Sequence, residues 1–242
     1  GCDALVDVSF RVAVGSVHGI IGPNGAGKTT LFNCMTGVVR PDVGQITLGD
    51  RPLVGMRPHR ITESGVARTF QNIRLFPEMT VLENVMVGAD AQHRTSVPGA
   101  LIGFGRHRRE ERQGRQLATE LLTFVGLGAR ADDVARNLSY GDQRRVEIAR
   151  AMATRPKVLL LDEPAAGMNP SEKRGLMELI VRMREGGMTV VLIEHDMGFV
   201  MPLCDRITVL DFGQVIAEGA PAEVQADPAV VRAYLGVADD AS

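Results

Sequence analysis

The run Gly22-Pro23-Asn24-Gly25-Ala26-Gly27-Lys28-Thr29-Thr30 gathers main-chain donors, an ammonium group and two hydroxyls within one short stretch. A chain of phosphates needs many donors at close range. Glycines let successive backbone N–H groups curl inward as an anion nest at a helix start. Lys28 adds a point charge, and Thr29 offers a hydroxyl to the Mg²⁺ that accompanies a nucleoside triphosphate. The pattern G-x-x-x-x-G-K-[ST] therefore reads as a P-loop for a nucleoside triphosphate and its Mg²⁺. An ordinary glycine-rich turn is the competing reading. At a Gly usage of roughly 7%, chance produces the full pattern in about one chain in a hundred of this length.

A second set of residues has the types that act on a bound triphosphate. Asp162 and Glu163 end the apolar run Val158-Leu159-Leu160-Leu161, at the strand edge where open α/β sheets bind ligands. Asp162 can hold the metal through water, while Glu163 orients the attacking water and accepts its proton. His195 follows the run Val190 to Ile193 in Glu194-His195-Asp196. Its position parallels that of Glu163 and suits a γ-phosphate sensor. Gln71, just past the apolar residues Val66 to Phe70, is a candidate for metal and water contact, although a single Gln carries little weight alone. Leu138-Ser139-Tyr140-Gly141-Asp142-Gln143 precedes a helix expected over Arg144 to Ala153. It offers a hydroxyl, a glycine and a helix N-terminus, and a plain N-cap by Ser139 or Asp142 accounts for it equally well. Asp211-Phe212-Gly213 matches a kinase metal motif in letters only. No His-Arg-Asp loop or strand lysine accompanies it, so it reads as a turn.

The elements that must position these groups are legible from their patterns. Val17 to Ile21 and Leu31 to Thr36 flank the P-loop as strand and helix. The continuous apolar runs at 158–161 and 190–193 are expected of parallel strands buried on both faces, hence a doubly wound sheet. Val6, Val8, Phe10, Val12 and Val14 alternate as a half-buried strand. That strand begins abruptly, with no initiator Met and no room for an earlier partner, so the natural beginning is expected upstream. Short strands are predicted at Gln45 to Leu48 and Val66 to Phe70, with a helix from Pro58 to Ser64 ending at Gly65. Thr80-Val81-Leu82-Glu83 is a capping box that opens a helical region. Leu117, Leu121, Leu122 and Val125 form one face of an amphipathic helix closed by Gly126. Residues 88–110 lack periodicity and carry the basic cluster Arg106-His107-Arg108-Arg109. Two readings stand for that span: a solvated loop and helix start, or a partner or lipid contact. A helix from Pro170 to Arg184 closed by Gly186-Gly187, a hairpin over 206–219 and a helix after Asp227-Pro228 complete the chain.

Composition narrows the class. The 242 residues, 45% hydrophobic and 23% charged, suit one domain with subdomains. A net charge of -2 argues against nucleic acid as the main partner. Cys2, Cys34 and Cys204 are scattered, which suggests neither a disulfide framework nor a zinc site and points to a reducing cytosol. No apolar run approaches the roughly 20 residues needed to cross a bilayer, and no signal pattern opens the chain. Any membrane involved is then crossed by another chain.

Together these features resemble the ATP-binding subunit of an ATP-binding-cassette (ABC) transporter over essentially the whole chain. Gly22 to Thr29 match the Walker A loop, Gln71 the Q-loop, Leu138 to Gln143 the signature, Val158 to Glu163 Walker B, and His195 the switch histidine. The resemblance implies an α/β fold: a P-loop NTPase core with a mostly parallel sheet, a small antiparallel β subdomain and an inserted helical subdomain. Residues 1–71 and 154–219 then form the core and β subdomain, 72–153 the helical subdomain ending in the signature helix, and 220–242 a tail. It implies ATP hydrolysis coupled to transmembrane permease subunits, from a peripheral position on the cytoplasmic side of the inner membrane. A substrate-binding protein takes part indirectly, and nucleic acid has no part. Thr29, Gln71 and Asp162 are the implied metal contacts. Two subunits, identical or paralogous, pair head to tail, so that Ser139, Tyr140, Gly141 and Asp142 of one face the γ-phosphate held by Lys28 of the other.

A finer resemblance is to the branched-chain amino acid importer ATPases, the LivG-like group. It rests on Thr69 to Phe76, Leu138-Ser139-Tyr140-Gly141 followed by Gln143-Arg144-Arg145, Ala165 to Pro170 and the tail Ala233-Tyr234-Leu235-Gly236. The insertion at 88–110 also looks like that group. Urea importers and lipopolysaccharide exporters use close relatives. Tyr140 stands where a general signature has Gly, a feature the LivG-like group shares. Asp142 replaces a usual Gln, which puts a negative charge near an anionic ligand and should weaken the closed dimer. The family's adenine-stacking aromatic falls before Gly1, so weaker ATP binding is expected of the chain as given. The rivals are a non-transport ABC ATPase, which usually carries two cassettes or long arms where one P-loop is visible here, and a nucleotide-dependent module without turnover.

Overall fold

The computed structural model describes residues 4–90 and 104–235. They form two compact units, one from the described residues up to 71 and from 157 onward and one from those between 72 and 156.

The first unit is built on a six-stranded sheet in the order β4-β5-β6-β1-β7-β8. Its strands are β1 (Val17–Ile21), β4 (Val66–Arg68), β5 (Val158–Asp162), β6 (Thr189–Ile193), β7 (Arg206–Asp211) and β8 (Gln214–Gly219). The first five are parallel, with Val17 opposite Val190 and His18 opposite Arg206. All of β1 and β6 is buried, which is why their sequences show no polar alternation. β8 returns antiparallel to β7 through the two-residue turn Phe212-Gly213, at φ 41° and 77°. Two positive-φ residues are what a hairpin turn matched to strand twist requires. A second, two-stranded sheet pairs β2 (Thr47–Leu48) with β3 (Arg51–Pro52).

Helix boundaries follow local chemistry. α1 (Lys28–Met35) leaves the P-loop, and α2 (Pro58–Ser64) opens on Pro58 and closes on left-handed Gly65. α6 (Pro170–Glu185) starts with an Asn169/Glu172 capping box and Pro170 and stops at Gly186. The short helices α7 (Met197–Val200) and α8 (Pro221–Ala226) had no sequence expectation, whereas α9 (Pro228–Leu235) follows Asp227-Pro228 as expected.

Three expected strands are revised. Residues 6–14 form no ladder, although Val8, Phe10 and Val12 do pack on the core of Ile20, Phe32, Leu160 and Val191. The alternation therefore reported burial, not pairing. β4 stops at Arg68 instead of Phe70, and β2 spans only Thr47–Leu48.

In the second unit α3 (Val81–Asp90), α4 (Phe104–Phe124) and α5 (Tyr140–Ala153) pack together. The capping box holds: the Thr80 amide donates to Glu83 Oε2 at 2.8 Å, and the Glu83 amide donates to Thr80 Oγ1 at 3.1 Å. Of the expected amphipathic face, Leu122 and Val125 are fully buried and Leu117 and Leu121 half-buried, with Ala118 buried beside them. Arg106 to Arg109 fall within the α4 backbone, and residues 91–103 of the non-periodic span lie outside the described residues. α3 crosses α5 at Gly88, where an added Cβ would stand 2.1 Å from the Arg150 carbonyl oxygen.

His18 on β1 is 1% exposed. It hydrogen-bonds Thr208 Oγ1 through Nε2 at 2.8 Å and stacks on Phe10 with ring centroids 5.4 Å apart. Burial lowers its pKa from 6.5 to about 4.

Gly88→Ala should cost roughly 1–3 kcal/mol through overpacking and lower the thermal midpoint. Gly114→Ala, whose added Cβ makes only ordinary contacts from 3.7 Å, should stabilise by roughly 0.5–1 kcal/mol. Because the unfolded chain protonates His18 more readily than the folded one, stability should fall with pH from 6.5 towards 4. This one group should account for about 3 kcal/mol of that loss. Urea denaturation of His18→Gln should lack that component.

Candidate functional site

The P-loop runs from the end of β1 into α1. Its conformation is fixed by the groups around it. The Lys28 side chain folds back so that Nζ donates to the carbonyl oxygens of Gly22 at 2.7 Å and Pro23 at 2.8 Å. Only 8% of the residue is exposed. Burial pulls its pKa down, and the nearby Glu163 carboxylate partly offsets that. Gly25 and Gly27 are left-handed, at φ 82° and 100°. Gly27 is the N-cap of α1 and supplies no side-chain acceptor, so the first amides of the helix are left to an external anion. A Cβ on Gly22 would lie 2.0 Å from the Leu210 carbonyl oxygen, so β7 approaches the loop backbone directly. The hairpin turn adds a bond from the Gly213 amide to Ala26 O at 3.1 Å, and the Val6 amide donates to Gly213 O at 2.7 Å.

Parallel order places the ends of β4, β5, β6 and β1 along one edge of the sheet. There the structure joins two of the expected residues, with Gln71 Nε2 donating to Glu163 Oε2 at 2.8 Å. Glu163 has φ 44°, a conformation costly for a residue with a side chain and typical of sites where geometry is over-determined. The surroundings hold it there: its amide donates to Ile193 O at 3.0 Å, and the Ala166 amide donates to its carbonyl at 3.2 Å. Asp162 ends β5 as expected, its carboxylate 2.6 Å from Arg68 Nη2. His195 follows β6 with its side chain 61% exposed, Nδ1 3.8 Å from Glu194 Oε2.

Two residues that motif reading missed sit among these. Arg68 binds Asp162 and also donates to Asn33 Oδ1 at 2.7 Å. Glu194 is buried and accepts from the amides of Ala165 at 2.8 Å and His195 at 3.2 Å. Burial raises its pKa, and those two amides oppose the rise. It thereby ties the segment after Glu163 to His195. The available signal was a charged residue placed inside or directly after an apolar strand. The oxygens of Thr29, Asp162 and Gln71 are hard donors of the kind that suits Mg²⁺. A folded-back ammonium and an uncapped helix start likewise fit a polyphosphate.

In the other unit, the signature residues open a helix. α5 begins at Tyr140, not at Arg144, and Ser139 is its N-cap, accepting from the Asp142 amide at 3.2 Å. The charge of Asp142 is partly met: Arg130 Nη1 donates to its Oδ2 at 2.7 Å, which tempers the expected repulsion of an anion. Beneath the first turn the buried Arg144 donates to Glu147 at 2.7 Å and to the Tyr140 hydroxyl at 3.3 Å.

These features agree with what the chain is similar to. A family model described as ABC transporter matches residues 5–166, and one described as branched-chain amino acid ATP-binding cassette transporter matches residues 214–240. The chain is 47% identical to the high-affinity branched-chain amino acid transport ATP-binding protein LivG of Salmonella typhimurium, over 98% of this chain and 94% of that protein. Among solved structures, an ATP-binding cassette of an ABC transporter in its ADP conformation superposes with a TM-score of 0.83. It is 35% identical, with 96% of this chain and 92% of that one covered. A dimeric cassette in a post-hydrolysis state bound to ADP and Pi gives 0.74 at 28% identity, with 90% of each chain covered.

Lys28→Ala should weaken ATP binding by roughly 2–5 kcal/mol, the usual cost of removing one partner of a buried charge contact. Calorimetric titration of the folded variant checks this.

Proposed function

The chain belongs to the ABC transporter family, and from that premise we propose that it is the ATP-binding and ATP-hydrolysing subunit of an importer for branched-chain amino acids. The observation that carries this reading is the convergence on one sheet edge of the Lys28 loop, the Gln71–Glu163 contact and Asp162, in a chain 47% identical to a transport ATPase for that cargo.

In this reading the Lys28 ammonium exchanges its carbonyl partners for phosphate oxygens, joined by backbone N–H groups of the loop from Asn24 to Thr30, while Gly22 and Pro23 shape its start. Thr29, Asp162 and Gln71 would hold Mg²⁺, which would neutralise phosphate charge when bound. Glu163 orients the attacking water and takes its proton. Gln71 must first give up its hydrogen bond to that carboxylate, so it reports whether the site is ready. His195, exposed on the neighbouring strand, contacts the terminal phosphate. Ser139, Tyr140, Gly141 and Asp142 meet the nucleotide of a second cassette, since a similar cassette is dimeric after hydrolysis. ATP bridges the closed pair and ADP alone does not, so loss of the cleaved phosphate after hydrolysis releases the two halves. No helix among the described residues is long and apolar enough to cross a membrane. In this reading the subunit works at the cytoplasmic face of a separate permease, with a binding protein delivering cargo to that partner.

Glu163→Gln should retain ATP binding and slow hydrolysis by roughly 10² to 10⁴ fold, the usual worth of a general base. Near-normal phosphate release by that variant removes Glu163 from the role. Co-purification with a permease that moves a different cargo overturns the amino acid assignment.

A further inference from the structure

We propose that Arg68 is a positioning residue for Asp162, and through it for the divalent cation that accompanies the nucleotide. The proposal rests on the nucleotide-site reading given above.

Arg68 is the last residue of β4, and its side chain is 8% exposed. Its guanidinium is fixed on several sides. Nη2 donates to Asp162 Oδ2 at 2.6 Å, and Nη1 donates to Asn33 Oδ1 at 2.7 Å, with Thr36 Oγ1 at 3.4 Å. The guanidinium carbon lies 5.5 Å from the ring centroid of Phe32 and 5.3 Å from that of Phe70. A planar fork of donors held in this way has one orientation. It joins three parts of the site: the strand leading to Gln71, the helix that begins with Lys28, and the end of β5.

A buried ion pair gains little net stability over apolar replacements, because both charges must be desolvated. Stability alone is therefore a weak account of Arg68, and geometry is a stronger one. With Oδ2 of Asp162 held by Arg68, rotation of the carboxylate is restrained, and Oδ1 is left as the oxygen for a metal or its water. The positive charge of Arg68 also repels a cation, so two effects compete. Asn33 and the aromatic rings prevent the guanidinium from moving toward a metal, whereas its loss would leave a buried carboxylate unpaired and free to turn. Orientation is the larger effect, as it is for hydrogen-bond partners of metal ligands generally, whose loss costs about 10–100-fold in metal affinity.

The test compares the full chain with Arg68→Gln and Arg68→Lys. Each binds a non-hydrolysable ATP analogue, by calorimetry, once in EDTA and once with saturating Mn²⁺. The gain in affinity on adding Mn²⁺ should fall about 10–100-fold in Arg68→Gln, with affinity in EDTA unchanged. Arg68→Lys, which can keep one of the two contacts, should fall between. Asn33→Ala should shift the gain in the same direction by less, and Arg68→Lys carries the test if Arg68→Gln does not fold. An unchanged gain, a larger gain or an equal loss in both buffers overturns the proposal and leaves the nucleotide site standing. A parent chain that binds no analogue in either buffer overturns both.

Discussion

An ammonium group held by two carbonyl oxygens of its own loop gives the molecule its working shape. Lys28 folds back on Gly22 and Pro23, and that contact keeps the loop curled. The contact is possible only because the backbone on either side is crowded. Leu210 approaches Gly22 closely enough to exclude any side chain, and the Phe212-Gly213 turn bonds Ala26. A buried cation whose pKa is already depressed by desolvation has much to gain from a polyanion. The fold thus keeps a charge partly unsatisfied at the point where phosphate is to be bound.

The same edge of the sheet carries a second strained element. Glu163 sits in a left-handed conformation, and Glu194 and Ile193 at the end of β6 bond the segment around it. Its carboxylate is met by Gln71, which follows a different strand. Strain at this position persists because neighbouring strands over-determine it. The arrangement links the state of Gln71 to that of the proposed base through one hydrogen bond.

Much of this was legible in the sequence because the signals were local. The runs at 158–161 and 190–193 announced buried parallel strands, and Pro58 with Gly65 bounded α2. Thr80 with Glu83 opened the helical region. What stayed hidden depends on distant partners. Val8, Phe10 and Val12 alternate and pack on the core as a strand would, although Val6 and Val14 are exposed. Laddering needs a neighbouring edge, which composition does not reveal. α5 begins at Tyr140 because Ser139 caps it, and from one sequence the cap and the signature motif are the same letters. Arg68 reaches a residue 94 positions away, and Arg130 meets Asp142 across a turn. Neither pairing leaves a periodic trace.

The order of strands also has a consequence for how the chain comes into being. β1 lies between β6 and β7, with Val17 opposite Val190 and His18 opposite Arg206. Both flanks of the strand that feeds the phosphate loop are therefore translated near the end. At ribosomal speeds of about 5–20 residues per second, a nascent β1 waits on the order of ten seconds or more before either neighbour emerges. During that interval an apolar strand is without its partners, so this architecture makes the newborn polypeptide dependent on shelter by chaperones or by early docking of its own helices.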